Sequence, residues 1–206
     1  MKLIRKSLIY STLFLIMSCN TSIDYKYSNE KDVLVCPLDN KKLIKEAVYA
    51  FENYLQQNYF YKDLNDKEIV YSNYWSTIDS KMPPKTDKLD EHTKNILAKF
   101  SDIEDLFVNV NGKIVLNQKS DVVSCIASEI QDQDLKTTYN ALLKSNALKA
   151  ELFVPAIRRN TSMIANDKAL ATYVALEQFY AELLNLDLSL TDRERYEMTV
   201  NSAHNH

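Results

Sequence analysis

DKALATYVALEQFYAELLNL, residues 167–186, is the stretch whose reading decides the fold. Placed at about 100° per residue, Asp167, Gln178, Glu182 and Asn185 fall on one narrow side of a helix. Leu170, Tyr173, Val174, Leu176, Phe179, Tyr180, Leu183 and Leu184 cover more than half the circle. A surface helix needs a narrower apolar stripe, so this one is expected at the centre of a helical domain, capped by Asn166 or Asp167. Glu177 breaks the pattern, because it falls between Leu170 and Leu184 inside the apolar arc. A carboxylate there is costly unless it is paired or neutralised. The nearest partners in sequence are Arg158 and Arg159, and arginine is otherwise scarce after residue 18, with only Arg193 and Arg195. Guanidinium suits a bidentate, partly buried contact with carboxylate. The expectation is that Arg158 or Arg159 meets Glu177 inside the fold, as a structural ion pair or as the polar lining of a ligand pocket.

Upstream, the segment DNKKLIKEAVYAFENYLQQNYF places Leu43, Ile44, Ala47, Val48, Phe51, Tyr54 and Leu55 on one helical face, behind a cap at Asp39 or Asn40. Lys42, Lys45, Glu52, Gln56 and Gln57 lie away from it. Residues 61–86 are less periodic. Their IVYSNYW reads as a short strand or an ordered loop, and Pro83-Pro84 ends it. Residues 87–100 look helical, with a further short helical turn over 101–106. In FVNVNGKIVL, Asn111-Gly112 between β-branched runs favours a hairpin, although a glycine there also suits a helix C-terminus. Helices follow over 120–130 (capped by Ser120 or Asp121), 133–146 and 148–159, the last with Pro155 in or near it. The fold class expected is mainly α: a single bundle-like domain over residues 38–188, with one small hairpin around 107–116. Residues 189–206 read as a polar tail ending in disorder.

Composition removes whole classes of chemistry. The chain has a single glycine, Gly112, so it holds no dinucleotide fingerprint, no phosphate-cradling loop and no G-x-S-x-G elbow. No H-E-x-x-H, C-x-x-C or spaced Cys/His set is present, so neither a dedicated metal site nor a cofactor is expected.

The chain opens MKLIRKSLIYSTLFLIMSC, in which Lys2, Arg5 and Lys6 precede a short apolar run from Leu8 to Met17. That run is too short for a bilayer, which takes about 20 residues, and it has the layout of a secretory signal peptide. Ile16-Met17-Ser18-Cys19 resembles the lipobox of bacterial lipoproteins. The resemblance covers residues 1–19 only. It implies that residues 1–18 are removed and that Cys19 is acylated and becomes the first mature residue. A multiply acylated cysteine anchors stably, since each buried CH₂ contributes roughly 0.8 kcal/mol. Asn20 stands where an inner-membrane retention signal would place Asp, and Asp24 is the only nearby acid. The resemblance therefore implies the outer membrane, with the periplasmic face favoured over the cell surface. Residues 19–37 would be the lipidated cysteine and a polar tether.

Without residues 1–18 the charge balance is 22 basic against 28 acidic residues. An acidic chain without a basic stripe is not expected to bind nucleic acid. With Cys19 assigned to the lipid, Cys36 and Cys125 remain, either as a disulfide across roughly 90 residues or as two buried thiols. His92, beside Asp90 and Glu91, is expected as a solvated histidine. The terminal AHNH offers His204 and His206, but it is too short for a folded nuclease motif and reads as a polar tail.

Tyr49, Tyr59, Phe60, Tyr61 and Trp75 are the candidate aromatic surface, suited to stacking on sugar rings or to a partner, with packing between helix ends as the alternative. Paired carboxylates for glycoside hydrolysis stay open, because acids are plentiful and sequence spacing does not fix their separation. The leading expectation is a non-enzymatic, membrane-anchored domain that binds or scaffolds another envelope protein or a glycan. The alternatives are small-ligand binding, or an enzyme of unrecognised type centred on Glu177 and the arginines, for which a solvent-open pocket beside Glu177 is the discriminating feature.

Overall fold

The computed structural model describes residues 23–59, 67–79, 82–159 and 161–203. The fold is mainly helical with one antiparallel hairpin. The elements run α1 Lys41–Tyr59, α2 Lys67–Asp79, a 3₁₀ turn Thr86–Lys88, α3 Glu91–Phe100, β1 Phe107–Val110, β2 Lys113–Leu116, α4 Asp121–Glu129 and α5 Gln133–Lys144. They continue with α6 Ala150–Arg158, α7 Thr161–Asn166, α8 Lys168–Tyr173, a π-helical segment Val174–Tyr180, α9 Ala181–Leu184 and α10 Asp192–Ala203. Among the described residues no helix is long and apolar enough to cross a membrane.

The rod made of α8, the π segment and α9 is the centre of the core, as its apolar arc requires. Leu170, Tyr173, Val174, Leu176, Phe179, Tyr180 and Leu183 are all buried. Asp167 caps it, accepting the Ala169 and Leu170 N–H groups, and its second oxygen accepts from Gln131 N–H at 2.8 Å. One buried carboxylate thus satisfies three backbone donors. Asp167→Ala leaves those donors unpaired, and urea denaturation is expected to show a loss of about 2–4 kcal/mol. Asp167→Asn keeps the cap and should cost less than half as much.

Helix α1 buries its predicted face completely, from Leu43 through Leu55. It also buries Lys45 and Glu52, which the periodicity placed toward solvent. The reason lies outside the helix. Lys45 Nζ donates to the Ser28 and Glu30 carbonyls at 2.9 and 3.0 Å. Glu52 pairs with Lys168 at 2.6 Å and Lys67 at 3.3 Å.

Several sequence expectations are corrected. IVYSNYW is part of helix α2, neither strand nor loop. Val70, Tyr71, Tyr74 and Trp75 recur at helical spacing and are buried where α2 packs against α1 and α7, and this burial overrides their strand propensity. The helix expected over 87–100 starts later, at Glu91, where Asp90 accepts Thr93 N–H, and residues 101–106 form turns without helix. The polar tail contains α10. Its start is a capping box, in which Thr191 Oγ1 accepts from Glu194 N–H and Glu194 accepts from Thr191 N–H. Asp192 joins it to the body by accepting from Thr86 N–H at 2.9 Å. His204 and His206 lie outside the described residues.

The hairpin forms where Asn111-Gly112 predicted it. Both residues take positive φ (53° and 87°), as a two-residue primed turn requires, and Phe107 pairs with Leu116. Side chains of the central rod then dock it. Asn185 Oδ1 accepts from Ile114 N–H at 2.7 Å, and Asn185 Nδ2 donates to the Ile114 carbonyl at 2.8 Å.

Residues 23–37, expected as a tether, pack onto the domain. Val33 and Leu34 are in the core. Glu46 accepts from Tyr27 N–H, and Glu129 accepts from the Val35 and Cys36 N–H groups at 2.9 and 3.0 Å. Cys36 and Cys125 are joined as a disulfide, with Cα atoms 6.0 Å apart. Cys19 and the lipobox lie outside the described residues.

Candidate ligand cleft

The central rod contains a turn of π-helix over Val174–Tyr180, in which Ala181 N–H reaches the Leu176 carbonyl. Such turns hold one residue more than an α turn and are common at functional sites. They also shift the phase of the side chains. Gln178, expected on the polar side, is buried, and its carbonyl accepts from Tyr74 Oη at 2.7 Å. Glu177, expected deep in the apolar arc, is half-buried and lines a cleft.

That cleft has two connected parts. The inner part, about 190 Å³, lies between β2, the start of α6 and the central rod. Its walls include Val110, Ile114, Leu148, Ala150 and Ala181, with Glu151, Glu177, Glu182, Lys113 and Lys149 as its charged groups. It shares Lys113, Ala150, Glu151 and Glu182 with an outer part of about 520 Å³ that runs past Pro155 and Arg158 to Met82–Pro84. Pro155, inside α6, has no N–H to give the Glu151 carbonyl, which loosens α6 beside the cleft.

Glu177 Oε2 accepts from Leu116 N–H at 2.9 Å, a contact that helps dock the hairpin. Lys113, the nearest cation, is bonded to Glu182 at 2.9 Å. Desolvation by burial pushes the Glu177 carboxyl up to about 7. The Leu116 hydrogen bond and Lys113 oppose the rise, while Glu182 and Glu151 add to it. The result is a carboxyl group that takes up and releases its proton near neutrality. Behind it, the hydroxyls of Tyr139 and Tyr173 are buried without a hydrogen-bond partner among the described residues. Burial first, and then the field of Glu177, pushes both phenols up.

The expected arginine pairing is not what the fold builds. Arg158 and Arg159 are exposed at the end of α6. Arg158 reaches the outer cleft only, and among the described residues neither arginine is bonded to Glu177. The partner is the backbone of a strand 61 residues away, which no side-chain inventory reveals. The aromatic surface also dissolves. Tyr59 and Trp75 are buried in the core. Tyr49 is half-buried, stacked on Tyr27 at 5.6 Å beneath Lys168, with its hydroxyl on the Lys31 carbonyl. Phe60 and Tyr61 lie outside the described residues.

His92 was expected in solvent and is instead buried on Glu46 at 2.7 Å. Glu46 is fully buried, and with His92 and Tyr27 it clamps the N-terminal segment to α1 and α3. The helical signal for Glu46 is weak, because its burial comes from residues outside α1. Among the described residues, the group with metal-ligand proximity is Cys36, Cys125 and Glu129. Its two sulfurs are bonded to each other, which leaves one carboxylate as donor. Comparison with protein-family models, curated proteins and solved structures finds no match.

Proposed function

We propose that the chain is a lipid-anchored envelope protein whose helical domain binds a small ligand in the Glu177 cleft without transforming it. The observation that carries this reading is a half-buried carboxylate, with one oxygen held by Leu116 N–H, lining a two-part cleft of largely apolar wall. A few polar groups converging in an apolar cleft are the usual make-up of a small-molecule site. A titration point near neutrality adds to it, since perturbed groups gather at functional sites. The burial of Tyr59 and Trp75 takes support from the glycan reading.

Anchoring at Cys19 has a consequence for placement. Four Cα steps separate Cys19 from Ile23, where packing onto the domain begins, and they reach at most about 14 Å. The body would then ride against the bilayer surface. A radiolabelled fatty acid should be incorporated by the wild type and not by Cys19→Ala, which should leave the membrane fraction.

The ligand reading is tested by a fragment library screened by ligand-observed NMR against the mature chain and its Ala150→Trp variant. Ala150 borders both parts of the cleft, and an indole there fills it. The expected result is a set of fragments that bind the wild type and are lost in a folded Ala150→Trp protein. No fragment lost on filling the cleft overturns the reading. A scaffold role draws on exposed Tyr196 (70%) and Met198 (61%) of α10, and crosslinking in the native envelope would capture that partner.

A further inference from the structure

We propose that the cleft takes an ammonium group carried on an apolar body, with Glu177 as its counter-ion. The inference rests on the ligand-binding reading above and adds the class of ligand.

Charge accounting comes first. From the central rod come Glu177 and Glu182, from α6 comes Glu151, from β2 comes Lys113, and from the residue before α6 comes Lys149, which is exposed. Lys113 is already spent on Glu182. Arg158 reaches only the outer part. Three carboxylates against two lysines leave the inner part with one carboxylate in excess. Glu151 and Lys149 are both exposed, so the half-buried Glu177 is the group left over. One of its oxygens holds Leu116 N–H, and the described structure gives the other no donor. A carboxylate in that position is costly without a partner, and an incoming ammonium supplies one.

A feature beyond the carboxylates points to an occupant. The cavity itself is built, with apolar walls from Val110, Ile114, Leu148 and Ala181 around the charged floor.

Other ligand chemistries fit less well. A carboxylate or phosphate ligand would meet three glutamates against two lysines, one of them engaged. A hard metal ion takes six or more oxygen ligands and would find apolar wall on most sides. An alkyl ammonium matches both the charge deficit and the wall.

The test is an NMR titration of ¹⁵N-labelled mature protein at pH 8 with hexylamine, hexanol and hexanoate. Glu177 is ionised at that pH, and the Leu116 amide, which donates to it, is a built-in reporter. Hexylamine should shift the Leu116 resonance and bind at least tenfold more tightly than hexanol, with no binding of hexanoate. Glu177→Gln should reduce the amine's advantage over the alcohol to less than threefold. The amine–alcohol comparison on the wild type decides the matter without relying on that variant. Equal binding of hexylamine and hexanol at the cleft would overturn the ammonium assignment and leave a ligand cleft that reads shape alone. No shift at Leu116 with any of the three also overturns it, and the fragment screen then decides separately whether the cleft binds anything.

Discussion

Glu177→Gln is expected to stabilise the protein at pH 8, by about 1–3 kcal/mol, while leaving it nearly unchanged at pH 4. The sign follows from linkage. The Glu177 carboxyl titrates near 4.5 when unfolded and is pushed up to about 7 when folded, by burial first. Between those values the native state holds a proton that the unfolded state has lost, so stability falls as pH rises through the window. A shift of this size corresponds to at most about 3.4 kcal/mol, at 1.36 kcal/mol per pH unit. The open side of the cleft and the loss of a charged acceptor for Leu116 N–H reduce it. Urea denaturation of both proteins from pH 4 to pH 8 measures the effect as a difference, which cancels the other acids. The two curves should meet below about pH 4.5, diverge between 4.5 and 7, and run parallel above 7. Parallel curves across the whole range would mean that Glu177 is solvated in the folded protein. A stabilising substitution at the centre of a proposed site is also what a stability–function trade-off produces.

Removing the disulfide should have the larger effect. The Cys36→Ser, Cys125→Ser double variant is expected to lose about 4–5 kcal/mol, because the bond closes a loop across a sequence separation of 89. The loss should fall first on the N-terminal segment. That segment packs through Val33 and Leu34, and its backbone is held by the carboxylates of Glu46 and Glu129. Hydrogen exchange at the Val35 and Cys36 amides should therefore speed up more than at the amides of α1. A variant that unfolds in urea at the wild-type midpoint would show that the bond adds nothing the packing does not already supply.

The central rod, α1 and the hairpin were legible because each is written in a short repeat. A 3.6-residue period marks Leu43 through Leu55 and Leu170 through Leu184, and Asn111-Gly112 supplies two residues that accept positive φ. Glu177 was legible as an exception to the period. Its partner was not, because the N–H of Leu116 carries no side-chain signature and lies 61 residues away. The same limit hid Glu46 with His92, 46 residues apart, and Glu52 with Lys168, 116 apart. Charged residues at surface-like positions read as solvated unless the segment that covers them is known.

What the sequence by itself determined is therefore the class of fold, the helix at its centre and the one carboxylate out of place on it. Tertiary structure alone decided three further matters. It made IVYSNYW a helix, because burial of Tyr71, Tyr74 and Trp75 against α1 and α7 outweighs a strand propensity of under about 1 kcal/mol per residue. It drew residues 23–37 onto the domain, because side chains of α1 and α4 satisfy that segment's backbone. It turned Glu177 toward a cleft, because the π turn moves the side chain off the 3.6-residue phase on which the sequence was read. Local periodicity is a property of neighbours along the chain, and these outcomes depend on groups that only folding makes neighbours.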